Sequence, residues 1–186
     1  MIIYCDRTSK KIHIMLFDKL KRVKAFILDV DGVLTNGEVL VTEQGEQLRS
    51  FNIRDGYALQ LAVKKRFPIA VITGGRSEGV RLRLKGLGIT DVFMEVQDKL
   101  LCFNNWLIEQ QFQVDDVLYM GDDIPDLTIM SRVGIAACPN DAAEEVKAVS
   151  HYISPKEGGK GAVRDVIEKA LKLQNKWDDD ETVKSI

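Results

Sequence analysis

Two aspartates two residues apart close the apolar run in KAFILDVDGVLT, residues 24–35. Side chains at that spacing on a strand point the same way, so Asp29 and Asp31 are expected to project together from a strand's carboxyl end. Gly32 follows them, letting the backbone bend sharply and a ligand come close. A second acidic group follows the run VLYM: Gly121, then Asp122 and Asp123, then Pro125 and Asp126. Helix capping would account for Asp123 as an N-cap and for Asp126 in a first turn, but not for Asp122. If the two runs are neighbours, five carboxylates gather at one edge. Crowded acids raise one another's pKa unless a cation neutralises them. The ligands are oxygens with no histidine nearby, so Mg2+ is expected rather than Zn2+.

Two further pieces suit an anion beside that metal. The run IAVIT ends in Thr73-Gly74-Gly75-Arg76 ahead of a helical segment. A hydroxyl, flexible backbone amides and a helix N-terminus are what binds a phosphate. Lys99 opens another helical segment; a lysine in a first turn is ordinarily solvated, and its candidacy rests on its company. With Mg2+ and Lys99 screening the charge, Asp29 can attack phosphorus to form an aspartyl-phosphate. Asp31 can then protonate the leaving oxygen and deprotonate the attacking water.

The elements that must position these residues alternate along the chain. Strand-like runs cover 23–29, 69–73, 91–96, 116–120, 133–137 and 150–154, and helix-like segments cover 55–66, 77–87, 98–112, 124–132, 141–148 and 161–174. Such alternation predicts a three-layer α/β/α, Rossmann-like parallel sheet, where ligands bind outside the carboxyl ends of the strands. Residues 37–53 alternate with period two around a turn containing Gly45, which predicts a β-hairpin inserted after strand one and too small to be a cap domain. The expected organisation is an N-terminal lead-in over 1–22, one domain over 23–175 and an acidic tail over 176–186.

Bulk properties exclude several classes. At 186 residues, with 45% hydrophobic and 29% charged residues, the chain suits one ordinary globular domain. A net charge of -2 gives no general nucleic-acid or membrane-surface footprint. The three cysteines, Cys5, Cys102 and Cys138, lie far apart without CxxC spacing, which points to a reducing cytoplasm. No stretch approaches the roughly 18 to 20 apolar residues of a membrane span, and charges interrupt the N-terminus too often for a signal peptide. The two histidines, His13 and His151, exclude chemistry that needs an adjacent pair, and no Walker loop is present.

The order DxD, Thr, Lys and GDDxxD resembles the haloacid dehalogenase superfamily of phosphohydrolases. The resemblance implies Mg2+ held by Asp29, the backbone carbonyl of Asp31, and Asp122, with Asp123 or Asp126 supporting. Over about residues 23–174, DVDGVLTNG, FNIRDGYAL, ITGGRSE, YMGDDIPD and GGKGAVRDVIE are similar to the small capless branch acting on 3-deoxy-D-manno-octulosonate 8-phosphate, a precursor of the lipopolysaccharide sugar KDO. That likeness implies a homotetramer, with the inserted hairpins forming a central barrel and a neighbouring subunit completing each site. Relatives acting on the nine-carbon sugar acid phosphate carry Gly-Glu-Lys where this chain has Gly74-Gly75-Arg76, so the eight-carbon substrate is favoured and the nine-carbon one is the alternative. Arg76 is then expected to pair with the sugar carboxylate. The terminal KSI also resembles tails that reach a neighbour's site.

Two rival readings use the same sequence. Gly75-Arg76-Ser77-Glu78-Gly79 is a formal GxSxG, with Asp122 and His151 following in hydrolase order, but Ser77 falls too far past the strand and Asp29 and Asp31 are left unused. A phosphorylatable receiver domain shares the sheet, the metal and an acceptor aspartate. Receivers carry that acceptor after strand three, where 91–96 leads to no comparable residue.

Overall fold

The structure is a computed structural model and describes residues 16–178 and residue 183. Cys5, His13 and the terminal KSI lie outside the described residues.

Short apolar runs form the centre. Strands β1 (Ala25–Leu28), β4 (Ile69–Ile72), β6 (Val117–Met120) and β7 (Ile135–Cys138) are buried at every position. With β5 (Asp91–Phe93) and β8 (Tyr152–Ile153) they make a parallel six-stranded sheet in the order β5-β4-β1-β6-β7-β8. Continuous apolar runs are what a parallel sheet covered on both faces requires.

Alternation along each strand sends neighbours to opposite layers. Phe26 and Leu28, with Ile69 and Val71, face a core closed by α1 (Ile53–Lys64), α2 (Glu78–Gly86) and α6 (Ala162–Leu173). Ala25 and Ile27, with Ala70 and Ile72, face a core closed by α3 (Lys99–Gln110), α4 (Leu127–Met130) and α5 (Glu144–Val149). The three-layer fold expected from the sequence is therefore present.

Local chemistry sets the element ends. Asn52 starts α1 earlier than its apolar pattern suggests, because its side-chain oxygen accepts from Arg54 N at 2.8 Å. The expected helix over 124–132 is instead a 3-10 turn, Ile124–Asp126, running into the single turn α4. The Asp126 side chain bonds back to Asp122 N and Asp123 N, which tightens the chain before α4 can begin.

The inserted hairpin is shorter than expected. Only Leu40 and Val41 in β2 (Leu40–Val41) pair with Leu48 and Gln47 in β3 (Gln47–Leu48). Both strands are exposed, so no packed face extends the ladder.

Towards the ends, residues 16–20 form a helical stretch whose Leu20 is buried, and Val23 beyond it is buried too. Trp177 packs edge-on to Tyr57 at 6.0 Å between ring centres, beneath the Arg164 guanidinium.

Candidate active site

Because β1 and β6 are adjacent, with Leu28 beside Met120, the loops leaving them meet at the carboxyl edge of the sheet. Asp29 N donates to Met120 O at 3.0 Å, carrying the pairing one residue past the strand and fixing Asp29 at the junction. Gly32 then turns back with φ +81°, and a Cβ there would meet Asp122 Oδ2 at 1.9 Å. Only glycine fits this backbone and leaves room for the acid.

Three of the five carboxylates converge. Asp29, Asp122 and Asp126 each offer an oxygen within 4.8 Å of the others. Their oxygens are not equivalent. Asp126 is fully buried and both its oxygens are engaged: Oδ1 accepts from Lys99 Nζ and from Tyr119 OH, each at 2.7 Å, and Oδ2 accepts from Asp122 N at 3.0 Å. Among the described residues, Asp29 Oδ1 and Asp122 Oδ1 are buried without any hydrogen-bond partner. Two unsatisfied buried carboxylate oxygens in one acidic cluster are costly, and a hard cation is the group that satisfies both. Asp126 therefore orients the cluster, while Asp29 and Asp122 hold the open ligand atoms. Asp123 is exposed at the cavity rim.

The electrostatics agree with this division. Burial and then the neighbouring Asp126 charge push the Asp29 carboxyl up to about 6, against the opposing pull of Lys99. Burial and the charges of Asp29 and Asp126 push Asp122 up to about 8. Without a cation, both carboxyls are held above the ordinary carboxylate range.

Lys99 joins the cluster rather than the solvent, contrary to the usual fate of a first-turn lysine. Its side chain is 9% exposed, with Nζ 3.0 Å from Asp29 Oδ2 and 2.7 Å from Asp126 Oδ1. Burial pulls the Lys99 pKa down, but the two acids outweigh it and the net shift is upward. Asp98 sets the residue in place by capping α3, its Oδ1 accepting from Leu101 N at 2.9 Å.

Thr73 and the two glycines after it form the opposite wall. Thr73 N donates to Phe93 O, while Val96 N and Glu95 N donate back to Thr73 O and Gly75 O. This stitching ties the phosphate-type loop to the segment that delivers Lys99. Thr73 Oγ1 accepts from Gly75 N at 3.1 Å, which leaves its own proton free to donate. Asp29, Asp31, Thr73, Gly74, Gly75, Lys99 and Asp122 line one cavity of about 780 Å³. Arg76 does not join them: its side chain is 81% exposed, 3.8 Å from Glu95.

The formal GxSxG is not assembled into a triad. Ser77 is the N-cap of α2, with Oγ accepting from Val80 N at 3.3 Å. His151 precedes β8 at the amino edge of the sheet, where Nδ1 accepts from Ala136 N at 3.0 Å and Lys19 lies 3.4 Å from Nε2.

Sequence reasoning missed three residues around the site. Arg49, leaving β3, grips both oxygens of Asp31 at 2.7 and 3.1 Å. Tyr119 reaches Asp126 from within β6; its hydroxyl in an otherwise apolar strand was the available signal. Asp55 in α1 accepts from Gly161 N at 3.2 Å and Arg164 N at 2.7 Å, so a residue over a hundred positions away caps α6. That link holds the turn at Gly158 against the β1 loop, where a Cβ would meet Gly32 O at 1.8 Å.

A sequence model of haloacid dehalogenase-like hydrolases matches residues 80–167. The 3-deoxy-D-manno-octulosonate 8-phosphate phosphatase KdsC of Yersinia pestis is 35% identical over 173 residues, spanning 93% of this chain and 92% of that protein. KdsC of Escherichia coli K12 is 35% identical over 161 residues, 87% of this chain and 86% of its own. The phosphatase of the same description from Moraxella catarrhalis, solved with a magnesium ion, a phosphate ion and KDO, superposes with a TM-score of 0.85 at 36% identity, covering 88% of this chain and 94% of that one.

Proposed function

The chain belongs to the haloacid dehalogenase-like hydrolases, among the 3-deoxy-D-manno-octulosonate 8-phosphate phosphatases, and we propose that it hydrolyses that sugar acid phosphate to KDO and inorganic phosphate. The observation that carries the reading is the pair of unsatisfied buried oxygens, Asp29 Oδ1 and Asp122 Oδ1, facing a cavity that Thr73, Gly75 and Lys99 also line. Asp29, Asp122 and the backbone carbonyl of Asp31 would hold Mg2+, with Asp126 orienting the cluster and Asp123 at its rim. Bound there, the ion would offset the carboxylate charge that otherwise repels a phosphate.

The residues then divide the work. The Thr73 hydroxyl, held by the Gly75 amide, and the amide of Gly74 bind the phosphoryl oxygens, and Lys99 adds a fixed positive charge. A carboxylate oxygen of Asp29 attacks phosphorus as the bond to the sugar oxygen breaks, and Asp31 gives that oxygen its proton. Water next attacks phosphorus, Asp31 takes its proton, and the bond to Asp29 breaks to release phosphate. Arg76, whose guanidinium stands free at the surface apart from Glu95, is the candidate partner for the sugar carboxylate. The reaction belongs to the supply of KDO for lipopolysaccharide in the cytoplasm, and the working unit is a homotetramer. Among the described residues no helix is long and apolar enough to cross a membrane.

The test is phosphate release from eight-carbon and nine-carbon sugar acid phosphates, with and without Mg2+. Metal-dependent release, fastest from the eight-carbon ester, is expected, and Asp29→Asn is expected to lose about 10⁴-fold or more in kcat. Near-native turnover by Asp29→Asn would overturn the proposal.

A further inference from the structure

The carboxylate of Asp31 faces the cavity, as its spacing from Asp29 suggests, but is not free to turn in it. Arg49 Nε donates to Asp31 Oδ1 at 2.7 Å and Arg49 Nη2 donates to Oδ2 at 3.1 Å, a fork that accepts one orientation of the acid only. Thr35 Oγ1 adds a weak contact to Oδ1 at 3.5 Å. The arginine is committed to this place. Its side chain is 7% exposed, and Nη1 is buried without a partner among the described residues. A guanidinium N–H left unsatisfied away from water is a cost that packing alone does not explain. A Cβ on Gly75 would lie 3.4 Å from Asp31 Oδ2 and 3.6 Å from Arg49 Nη2, ordinary contact distances, so the forked pair lies beside the Thr73–Gly75 loop.

We infer that Arg49 is a positioning residue for proton transfer: its fork holds the Asp31 carboxyl so that Oδ2, beside Gly75, carries the proton between the leaving oxygen and the attacking water. The inference rests on the phosphatase reading above and extends it to a residue of the inserted hairpin. Arg49 itself touches neither substrate nor phosphorus. In the first half of the reaction the Oδ2 proton goes to the sugar oxygen as its bond to phosphorus breaks. In the second half Oδ2 recovers a proton from water as phosphate leaves Asp29. A lysine, with one point of attachment and no fork, cannot set the carboxylate plane.

The test compares two esters with the Mg2+-loaded protein. A sugar acid phosphate has an alkoxide leaving group that needs the proton; p-nitrophenyl phosphate has a phenolate that does not. For Arg49→Met, kcat on the sugar ester is expected to fall about 10²-fold, the scale of general acid–base catalysis. With p-nitrophenyl phosphate the same variant is expected to release nitrophenolate in a burst equal to the enzyme present, then turn over slowly, because only the second half still needs Oδ2. Arg49→Lys is expected to show the same burst with a smaller loss. Equal losses on both esters without a burst in either variant, or wild-type rates in both, would overturn the inference while leaving the function intact. Wild-type protein that hydrolyses neither ester would overturn both.

Discussion

Burial and mutual repulsion hold the Asp122 carboxyl at about 8 and that of Asp29 at about 6, both above the ordinary 3.8. Without metal, the folded chain therefore binds protons more tightly than the unfolded chain at these two positions. Its stability is greatest below pH about 4 with respect to these groups, and falls as pH rises through about 6 and about 8. Mg2+ competes with the same protons. Its apparent affinity is expected to rise with pH up to about 8, with proton release on binding, and its stabilising effect is expected to grow over the same range. Calorimetric titration in buffers of different ionisation enthalpy measures the released protons. Mg2+ affinity that does not change between pH 6 and 8 would show that these carboxylates are not the ligands. The residue types announced this site, since Asp29, Asp31 and Asp122 can be named from spacing and Lys99 from the company they keep. The division of labour could not be read that way. Asp126 reads as a helix-turn acid in sequence, whereas Tyr119 and Lys99 both bond its Oδ1, and the bond to Lys99 joins residues brought together only by the fold.

At the scale of elements, the buried strands were legible and the hairpin only in part. A strand covered on both faces must be apolar throughout, so β1, β4, β6 and β7 stand out in the sequence. The hairpin carries its apolar residues outward instead: Leu40 is 67% exposed, Val41 61% and Leu48 48%. Three such side chains on a two-residue ladder are a surface without a partner in one chain, and the proposed tetramer would bury them. Leu40→Glu places a charge on that exposed surface. Light scattering is expected to show wild-type protein as a tetramer and the variant as a smaller species with reduced turnover. A wild-type monomer of full activity would remove the tetramer from the account. Long-range links between elements were invisible in sequence for a plain reason. Arg49 and Asp31 are 18 positions apart and Asp55 and Arg164 are 109 apart, and no local pattern encodes either pair.

At the scale of the whole molecule, one topological fact does most to create the site. Placing β1 between β4 and β6 brings three carboxyl-end loops together, and with them the candidate nucleophile, the hydroxyl and amide wall, and the acid cluster. Strand order cannot be read from a strand list, but the chemistry hinted at it, because acids after β1 and β6 make sense only as neighbours. The central claim is that Asp29 takes the phosphoryl group. Asp31→Asn protein mixed with p-nitrophenyl phosphate and Mg2+, whose phenolate leaves without the Asp31 proton while the second half stalls, then quenched within a turnover and reduced with borohydride, tests it directly by peptide mass spectrometry. The account expects homoserine at position 29, the product of reducing an aspartyl-phosphate there. Unmodified Asp29 in protein that has released its nitrophenolate, or homoserine at another aspartate, would contradict it.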